Sequence, residues 1–305
     1  MNQIVHFLKY LMIVQLRILL IIGMLTVAVE VRAQKPLVPV INQQEQHLFH
    51  STTNEKSYNL AVSLPPHYSP SDSVKYSVLY LLDGSFSFPI AHAARTLLDM
   101  FGEIEEVIIV GIGDEWKQSY SPWISSRWTD YTPSADPASD SNPAFLNLFN
   151  LEEGALLSGG GPVFLDMIQN EIIPFIEGKY KTTQDRGIAG HSFGGLFAGY
   201  CLLSKTDLFS RFGINSPSFW WNKDEILALE QHYSQQNKDL NAKVFISVGS
   251  MEGTSMVPKM LAFSDSVRSR NYEGLKLTSH IFEDETHNSV VAASISRTLR
   301  VLYGK

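Results

Sequence analysis

The sequence has very little cysteine: Cys201 is the only one. A single thiol cannot form an intramolecular disulfide, and it excludes zinc or iron–sulfur centres that need several thiolates. Nine histidines are present, but the most closely spaced pair, His47 and His50, lies in a polar stretch with no matching third and fourth ligand. The sequence therefore predicts neither a disulfide framework nor a metal site.

An excess of positive charge is also lacking. The chain carries 24 Lys and Arg against 31 Asp and Glu, giving a formal net charge of −7, and like charges form no sustained run. The attraction that drives binding to a phosphate backbone is therefore missing, and nucleic acid is not an expected partner. Hydrophobic residues, in contrast, make up 44% of the chain, which is enough to build one large core.

The amino-terminal apolar run is shorter than the roughly 20 residues that a membrane-spanning helix needs. It extends from Ile18 to Val29, after Lys9 and Arg17, and Val31-Arg32-Ala33 then places small residues at the −3 and −1 positions of a cut before Gln34. Residues 1–33 are therefore expected to be a signal peptide, and the mature chain to be periplasmic or secreted without a stable membrane span. An uncleaved membrane anchor is the alternative.

Beyond a polar stretch that ends near Lys56, short β-type runs alternate with longer helical patterns. This alternation predicts one α/β domain over residues 34–305, with a mostly parallel sheet covered by helices on both faces. The expected strands are Tyr58–Leu64, Tyr76–Leu82, Glu106–Ile112, Gly187–Gly190, Phe212–Asn215, Val244–Val248 and Leu277–Phe282. The expected helices are Ile90–Phe101, Pro162–Lys179, Phe193–Leu203, Lys223–Gln235, Val257–Asn271 and Ser289–Leu302.

One segment, at about residues 113–161, interrupts the alternation. It contains several prolines and the run Gly159-Gly160-Gly161, together with six aromatic residues between Tyr120 and Phe149. Long irregular segments in compact domains are commonly lids or binding elements. We therefore expect this segment to act as a lid or a substrate wall; an inert insertion is the alternative.

The sharpest motif is Gly190-His191-Ser192-Phe193-Gly194, which lies between a short apolar strand and an apolar helix. In that context G-x-S-x-G is a nucleophile elbow, a strained turn that presents the serine hydroxyl. Its glycines allow neighbouring backbone to pass without a Cβ clash. Ser192 is therefore the predicted nucleophile.

A serine hydroxyl needs a histidine within hydrogen-bond reach to remove its proton. With this elbow the histidine comes last in the chain, and His287 lies just beyond the last expected strand. The nearest rival, His280, lies inside that strand, so its side chain would point to a face of the sheet. His287 is the predicted base.

The third member of such a triad is a carboxylate that follows a strand between the serine and the histidine. Glu252 fits best, because a short turn separates it from the buried run Val244–Val248. Asp284 and Glu285 are alternatives. A serine–histidine pair can also operate with a backbone group or water in place of the acid, in which case Glu252 is a solvated turn carboxylate.

Acyl transfer also requires N–H donors for the developing oxyanion. The N–H after the nucleophile, that of Phe193, is the first candidate. The loop Leu81-Leu82-Asp83-Gly84-Ser85-Phe86 follows an early buried strand, and we assign the second donor to Ser85. The alternative for Asp83 is an ordinary turn-forming role.

With these motifs the sequence resembles the α/β-hydrolase superfamily, and within it the esterase branch that includes the bacterial enterobactin and salmochelin esterases. The resemblance spans about Ser57 to Leu302. Besides the elbow, it rests on Tyr80-Leu81-Leu82-Asp83-Gly84, Arg127-Trp128-Thr129-Asp130-Tyr131-Thr132-Pro133, Ser216-Pro217-Ser218-Phe219-Trp220-Trp221 and Glu285-Thr286-His287-Asn288-Ser289-Val290. It implies an α/β-hydrolase fold with a mostly parallel sheet of about eight strands, a serine nucleophile, a histidine base and no cofactor.

Five residues of these motifs are expected on loops at the carboxyl edge of the sheet, where ligands bind in such folds. They are Arg127, Trp128, Tyr131, Trp220 and Trp221. A guanidinium and several aromatic faces would suit an anionic aromatic ester. The alternative is structural: the tryptophans pack the lid, and Arg127 pairs with Asp130.

The expected function is that of an exported serine esterase that cleaves a small-molecule carboxylic ester through an acyl-enzyme. Siderophore lactones and small acyl or aryl esters are the candidate substrates. Two alternatives use the same residues: a ligand-binding protein on a hydrolase scaffold without turnover, and an acyltransferase that passes the acyl group from Ser192 to an alcohol.

Overall fold

The computed structural model describes residues 6–7, 9–16, 44–114 and 120–305. The chain divides into two compact units, Met1–Asn42 and Gln43–Lys305. The described residues of the first unit are helical and are called α1. The apolar run and the expected cleavage site before Gln34 lie outside the described residues. Among the residues that are described, no helix combines the length and apolar character that crossing a bilayer requires.

The second unit is built on an eight-stranded sheet with the order β1-β2-β4-β3-β5-β6-β7-β8. Strands β1 and β2 are antiparallel to each other, β2 is antiparallel to β4, and all other neighbours are parallel. The strands are β1 Gln44–His50, β2 Ser57–Ser63, β3 Tyr76–Leu81, β4 Val107–Asp114, β5 Thr182–His191, β6 Arg211–Asn215, β7 Lys243–Gly249 and β8 Lys276–Phe282.

Helices cover both faces of this sheet. They are α2 Gly84–Met100, α3 Tyr120–Tyr131, α4 Pro137–Asp140, α5 Pro143–Phe149, α6 Gly161–Met167, α7 Ile173–Lys179, α8 Phe193–Ser204, α9 Trp221–Gln236, α10 Gly253–Ser269 and α11 Val290–Tyr303. Because side chains alternate along a strand, β3 sends Val78 and Tyr80 into the larger core, under α6 and α8. Its Leu79 and Leu81 enter the second core, under α2 and α11. The predicted α/β-hydrolase class, with a mostly parallel sheet of eight strands, is confirmed.

Among the elements that differ from the sequence expectation, two do so for identifiable reasons. Strand β1 lies in the stretch interpreted only as polar, because an edge strand with exposed side chains has no buried apolar run to reveal it. The helix expected over Pro162–Lys179 is interrupted by a π-helical turn at Ile168–Ile172. Pro174 follows this turn and has no N–H to continue the regular hydrogen-bond ladder.

The parallel strands bring five chain segments to one edge of the sheet. Strands β3, β5, β6, β7 and β8 all end there, and each is followed by a segment that contains a candidate functional residue or its contact. The described part of the segment at 113–161 contains α3, α4 and α5. Its role as a lid stays a prediction.

Candidate active site

The turn between β5 and α8 holds Ser192 in a strained backbone conformation, with φ 61° and ψ −118°. Two glycines make this turn possible. A Cβ at Gly190 would lie 2.5 Å from the Gly194 carbonyl oxygen, and a Cβ at Gly195 would lie 2.6 Å from the Asn215 carbonyl oxygen. The motif is therefore a strand–turn–helix, as an elbow requires, and its packing leaves no room for larger residues at these positions.

Glu252 lies at the N-terminus of α10 with its side chain fully buried, and one carboxylate oxygen, Oε2, is 2.6 Å from His287 Nδ1. The other oxygen, Oε1, accepts hydrogen bonds of 2.6 Å from Ser216 Oγ and from the Gly249 N–H. Burial alone would raise the pKa of the Glu252 carboxyl, but these three hydrogen bonds lower it below its ordinary value. An ionised carboxylate only accepts, so His287 Nδ1 carries the proton and Nε2 is left as the basic nitrogen.

The two other carboxylates that the sequence offered as acids point elsewhere. Asp284 is exposed, and Glu285 accepts a hydrogen bond from Ser289. The rival histidine, His280, packs edge-on against Phe282 within β8, with ring centroids 4.4 Å apart. Of the three carboxylates, Glu252 is the one hydrogen-bonded to His287.

His191, the residue before Ser192, lies beside His287. The rings of His191 and His287 lie 4.5 Å apart, and burial together with the neighbouring His287 and Arg127 lowers the pKa of His191 well below its ordinary value. Ser192 Oγ lies 3.4 Å from Ser218 Oγ, and within the described part of the chain no hydrogen bond joins it to His287. Free active sites commonly have loose contacts of this kind, which tighten when substrate binds.

Two segments meet where oxyanion donors were predicted. The Leu196 N–H donates the first hydrogen bond of helix α8, to the Ser192 carbonyl oxygen. The N–H groups before it, including that of Phe193, therefore have no acceptor within the helix. The segment of Asp83 and Ser85 packs against this turn: a Cβ at Gly194 would lie 3.3 Å from Asp83 Oδ2. The sequence predicted this segment as a loop, but only Asp83 precedes helix α2, and Ser85 lies in the first turn of that helix. Phe193 and Ser85 therefore lie on adjoining segments, and their roles as donors stay predictions.

Residues 51–147 and 155–290 match the family model described as "Putative esterase". The chain belongs to this family. It is 29% identical over 266 residues to the ferri-bacillibactin esterase BesA of Bacillus subtilis (strain 168), which covers 84% of this chain and 88% of that protein.

Two solved structures from bacteria show the same likeness. The BES protein of Bacillus cereus aligns with a TM-score of 0.73 and 30% identity over 87% of this chain and 96% of that one. An IroE-like serine hydrolase of Shewanella oneidensis aligns with a TM-score of 0.72 and 25% identity over 86% of this chain and 80% of that one. The resemblance to the esterase branch is confirmed.

In this member of the esterase family, Arg127, Trp128 and Tyr131 lie on helix α3 and are buried, whereas the sequence predicted them on loops at the carboxyl edge of the sheet. The structural alternative also named the wrong partner for Arg127, which pairs with Asp83. Asp130 instead pairs with Lys56, at 2.6 Å. The expected pair does not form because the Asp130 carboxylate is already bonded by Lys56 and Tyr58, while Asp83, 44 residues before Arg127 in the chain, lies within hydrogen-bond distance of its guanidinium.

The tryptophans pack mainly against other side chains of the protein. Trp128 is 1% exposed and its ring contacts those of Phe193 and Trp221, at centroid distances of 5.0 and 5.2 Å. Trp221 is fully buried, and its Nε1–H donates to the Ser134 carbonyl. Trp220 is half-buried and stacks on Phe145. Of the five residues assigned to substrate binding, only Trp220 keeps a partly open side chain.

Three aromatic residues that no sequence motif singled out lie at or beside the Asp83–Ser85 segment. Phe86 follows Ser85 directly, and its ring contacts those of Tyr120 and Trp123 at centroid distances of 6.4 and 4.9 Å. Phe86 and Tyr120 are 36% and 66% exposed. We call Phe86, Tyr120 and Trp123 the aromatic shelf. The spacing of Tyr120 and Trp123, three apart on one helix, is the signal that could have revealed it.

A serine hydroxyl, a histidine held by a buried carboxylate and backbone N–H groups at the start of a helix are the kinds of group that acyl transfer uses. Metal chemistry has no comparable set of ligands: in the part of the chain that the structure describes, no group of three or more His, Cys, Asp or Glu side chains is placed to hold an ion. Cys201, the one thiol, is buried in α8.

Proposed function

We propose that this chain is a serine esterase that cleaves carboxylic esters through an acyl-enzyme, with Ser192 as nucleophile, His287 as base and Glu252 as acid. The observation that carries the proposal is the 2.6 Å hydrogen bond between Glu252 and His287, beside the strained elbow of Ser192. Membership of the esterase family supports the reaction class.

In the proposed reaction the Ser192 hydroxyl turns from Ser218 toward His287, gives its proton to Nε2 and attacks the ester carbonyl carbon. Backbone N–H groups of the Phe193 and Ser85 segments stabilise the oxyanion. Collapse of the tetrahedral intermediate breaks the bond to the alcohol oxygen, which receives the proton from Nε2. A water molecule then repeats these steps on the acyl-enzyme and releases the acid. Glu252 stabilises the imidazolium in both halves.

For the substrate we propose a catecholate siderophore lactone. BesA is named a ferri-bacillibactin esterase. A fungal relative, 24% identical, is named a siderophore triacetylfusarinine C esterase, and it supports siderophore esters in general as the substrate class. The aromatic shelf next to Ser85 supports an ester with planar rings, because offset and edge-to-face ring contacts contribute about 0.5–1.5 kcal/mol per pair beyond the burial of area.

The test is to incubate the purified chain with iron-free and ferric catecholate lactones, phenolic esters and acetylated sugars, and to identify the products by mass spectrometry. We expect ring-opened catecholate acids, with Ser192→Ala as the inactive control. Acylated alcohols in place of free acids would reveal an acyltransferase. Tight binding of the lactones with no product from any ester would contradict the proposal and favour a binding protein.

We expect Glu252→Gln to lower kcat by at least about a hundredfold with little change in KM, because an amide cannot stabilise the imidazolium. The loss should persist at higher pH, since no bulk titration restores the missing negative charge. Steady-state kinetics over a pH series would measure it. Glu285→Gln is the matched control, expected to stay within about threefold of wild type because its carboxylate is directed to Ser289. If the two variants exchange these outcomes, the acid is Glu285. If both variants and Asp284→Asn stay active, the enzyme operates with Ser192 and His287 alone.

Export is also proposed, and its support is the amino-terminal pattern of basic, apolar and small residues. The intact mass of the protein recovered from its native cell is expected to correspond to a chain that begins at Gln34. A mass that retains Met1, found in the membrane fraction, would instead identify an uncleaved anchor.

A further inference from the structure

The Arg127 side chain ends in a buried position between the two segments of the proposed oxyanion site. Its Nε and Nη2 donate to the two carboxylate oxygens of Asp83, at 3.0 and 2.9 Å, and Nη2 also lies 3.3 Å from the His191 carbonyl oxygen. Both side chains are less than 10% exposed. One guanidinium thus contacts the loop before α2 and the residue before the nucleophile.

The surroundings of this ion pair are mostly aromatic. The guanidinium carbon lies 4.9 Å from the ring centroid of Trp123, 5.5 Å from that of Phe193 and 5.6 Å from that of Tyr131. The Tyr131 hydroxyl also accepts a hydrogen bond of 3.0 Å from the Asp83 N–H. With its charge neutralised by Asp83 and its faces against rings, the guanidinium is not presented to an anionic ligand.

Asp83 has a left-handed backbone conformation, with φ 53°, and this turn sets the course of the chain into Gly84 and Ser85. Left-handed residues other than glycine need support from their surroundings. Here the support comes from α3, through Arg127 at the carboxylate and Tyr131 at the N–H. The position of Ser85 relative to Phe193 therefore depends on side chains from a helix that supplies no oxyanion donor itself.

We infer that Arg127 is a positioning residue: through Asp83 and the His191 carbonyl it fixes the spacing between the two oxyanion segments, and it does not bind the charge of the substrate. This inference rests on the proposed esterase function. It also explains why Arg127 is buried on a helix, although a residue that recognises an anionic ester would need an open side chain.

The experiment compares Arg127→Gln, Asp83→Asn and the double variant on two aryl esters that share a leaving group but carry a neutral or an anionic acyl part. Each single variant is expected to lower kcat by about a hundredfold on both esters, the effect of displacing one oxyanion donor, with KM within about threefold. The double variant should lose no more than the worse single variant, because both residues act through one ion pair.

Arg270→Gln is the matched control. Arg270 makes a similar two-bond pair with Glu230, at 3.0 and 3.1 Å, between α9 and the end of α10, and its loss should leave kcat unchanged. Near-UV circular dichroism reports folding. If a single variant does not fold, the uncharged double variant and Arg127→Lys, which keeps the charge but loses the two-bond geometry, give the same comparison.

A loss confined to the KM of the anionic ester would overturn the inference and make Arg127 a substrate-binding residue. Losses that multiply in the double variant would overturn it as well, because the two side chains would then act independently. Both results leave the esterase proposal intact, because the wild-type protein hydrolyses the esters in either case. A wild-type protein that hydrolyses neither ester would overturn the esterase proposal, and the positioning role with it.

Discussion

Replacing Ser192 by alanine is expected to lower kcat by about 10⁵-fold or more while the protein stays folded. Alanine removes the hydroxyl that forms the acyl-enzyme, and what remains is binding and oxyanion stabilisation alone. The fold should persist because the shape of the turn depends on Gly190 and Gly195, whose positions have no space for a Cβ. Steady-state kinetics with a chromogenic ester would measure the loss, and near-UV circular dichroism would verify the fold.

The control for this variant is Ser218→Ala, which removes the neighbouring hydroxyl 3.4 Å from Ser192 Oγ. Ser218 forms no bond to the acyl group in the proposed reaction, so its loss should cost less than about tenfold. A fluorophosphonate probe should label wild type and Ser218→Ala at Ser192 and leave Ser192→Ala unlabelled. Near-wild-type hydrolysis by Ser192→Ala would remove the basis of the mechanism.

His287→Ala is expected to be almost as inactive as Ser192→Ala, because nucleophile and base act as one unit. The combined variant should therefore be no slower than either single variant. The measurement is kcat at saturating ester for all three proteins. His280→Ala is the matched control and should retain activity, since its ring packs on Phe282 within β8. A loss of less than about tenfold in His287→Ala, with a large loss in His280→Ala, would transfer the role of base to His280.

The fold and the Ser192 turn could be predicted because their signals are local. Strands buried on both faces are continuous apolar runs, and the elbow motif consists of five consecutive residues. The hydrogen bond between Glu252 and His287 fits the prediction made from the position of Glu252 just after a buried strand, which parallel topology brings to the same edge as Ser192. The ion pair of Asp83 could not be predicted, because its partner Arg127 lies 44 residues away along the chain.

Packing between distant parts of the chain also explains why some aromatic residues lie elsewhere than the sequence predicted. A sequence shows that Trp128 and Trp221 are aromatic and near a motif, but not which face of a helix meets the core. Both are buried, while the partly exposed rings of the aromatic shelf come from positions that no motif emphasised. The Ser216 hydroxyl contacts Glu252, and the Ser218 hydroxyl contacts Ser192. Neither contact could be predicted, because a serine adds nothing to the hydrophobic periodicity from which buried positions are inferred.

Strand β8 is the outermost member of the parallel part of the sheet, and its side chains are mostly half-exposed. Outer elements with few buried contacts open at a lower free-energy cost than central ones. His287 follows β8, whereas Ser192 follows the central strand β5. If the two residues act together as proposed, we expect turnover to fall on warming before the sheet unfolds, because fraying of this outer strand would displace His287 from an otherwise intact Ser192 turn. Turnover should return on cooling, when the strand pairs again.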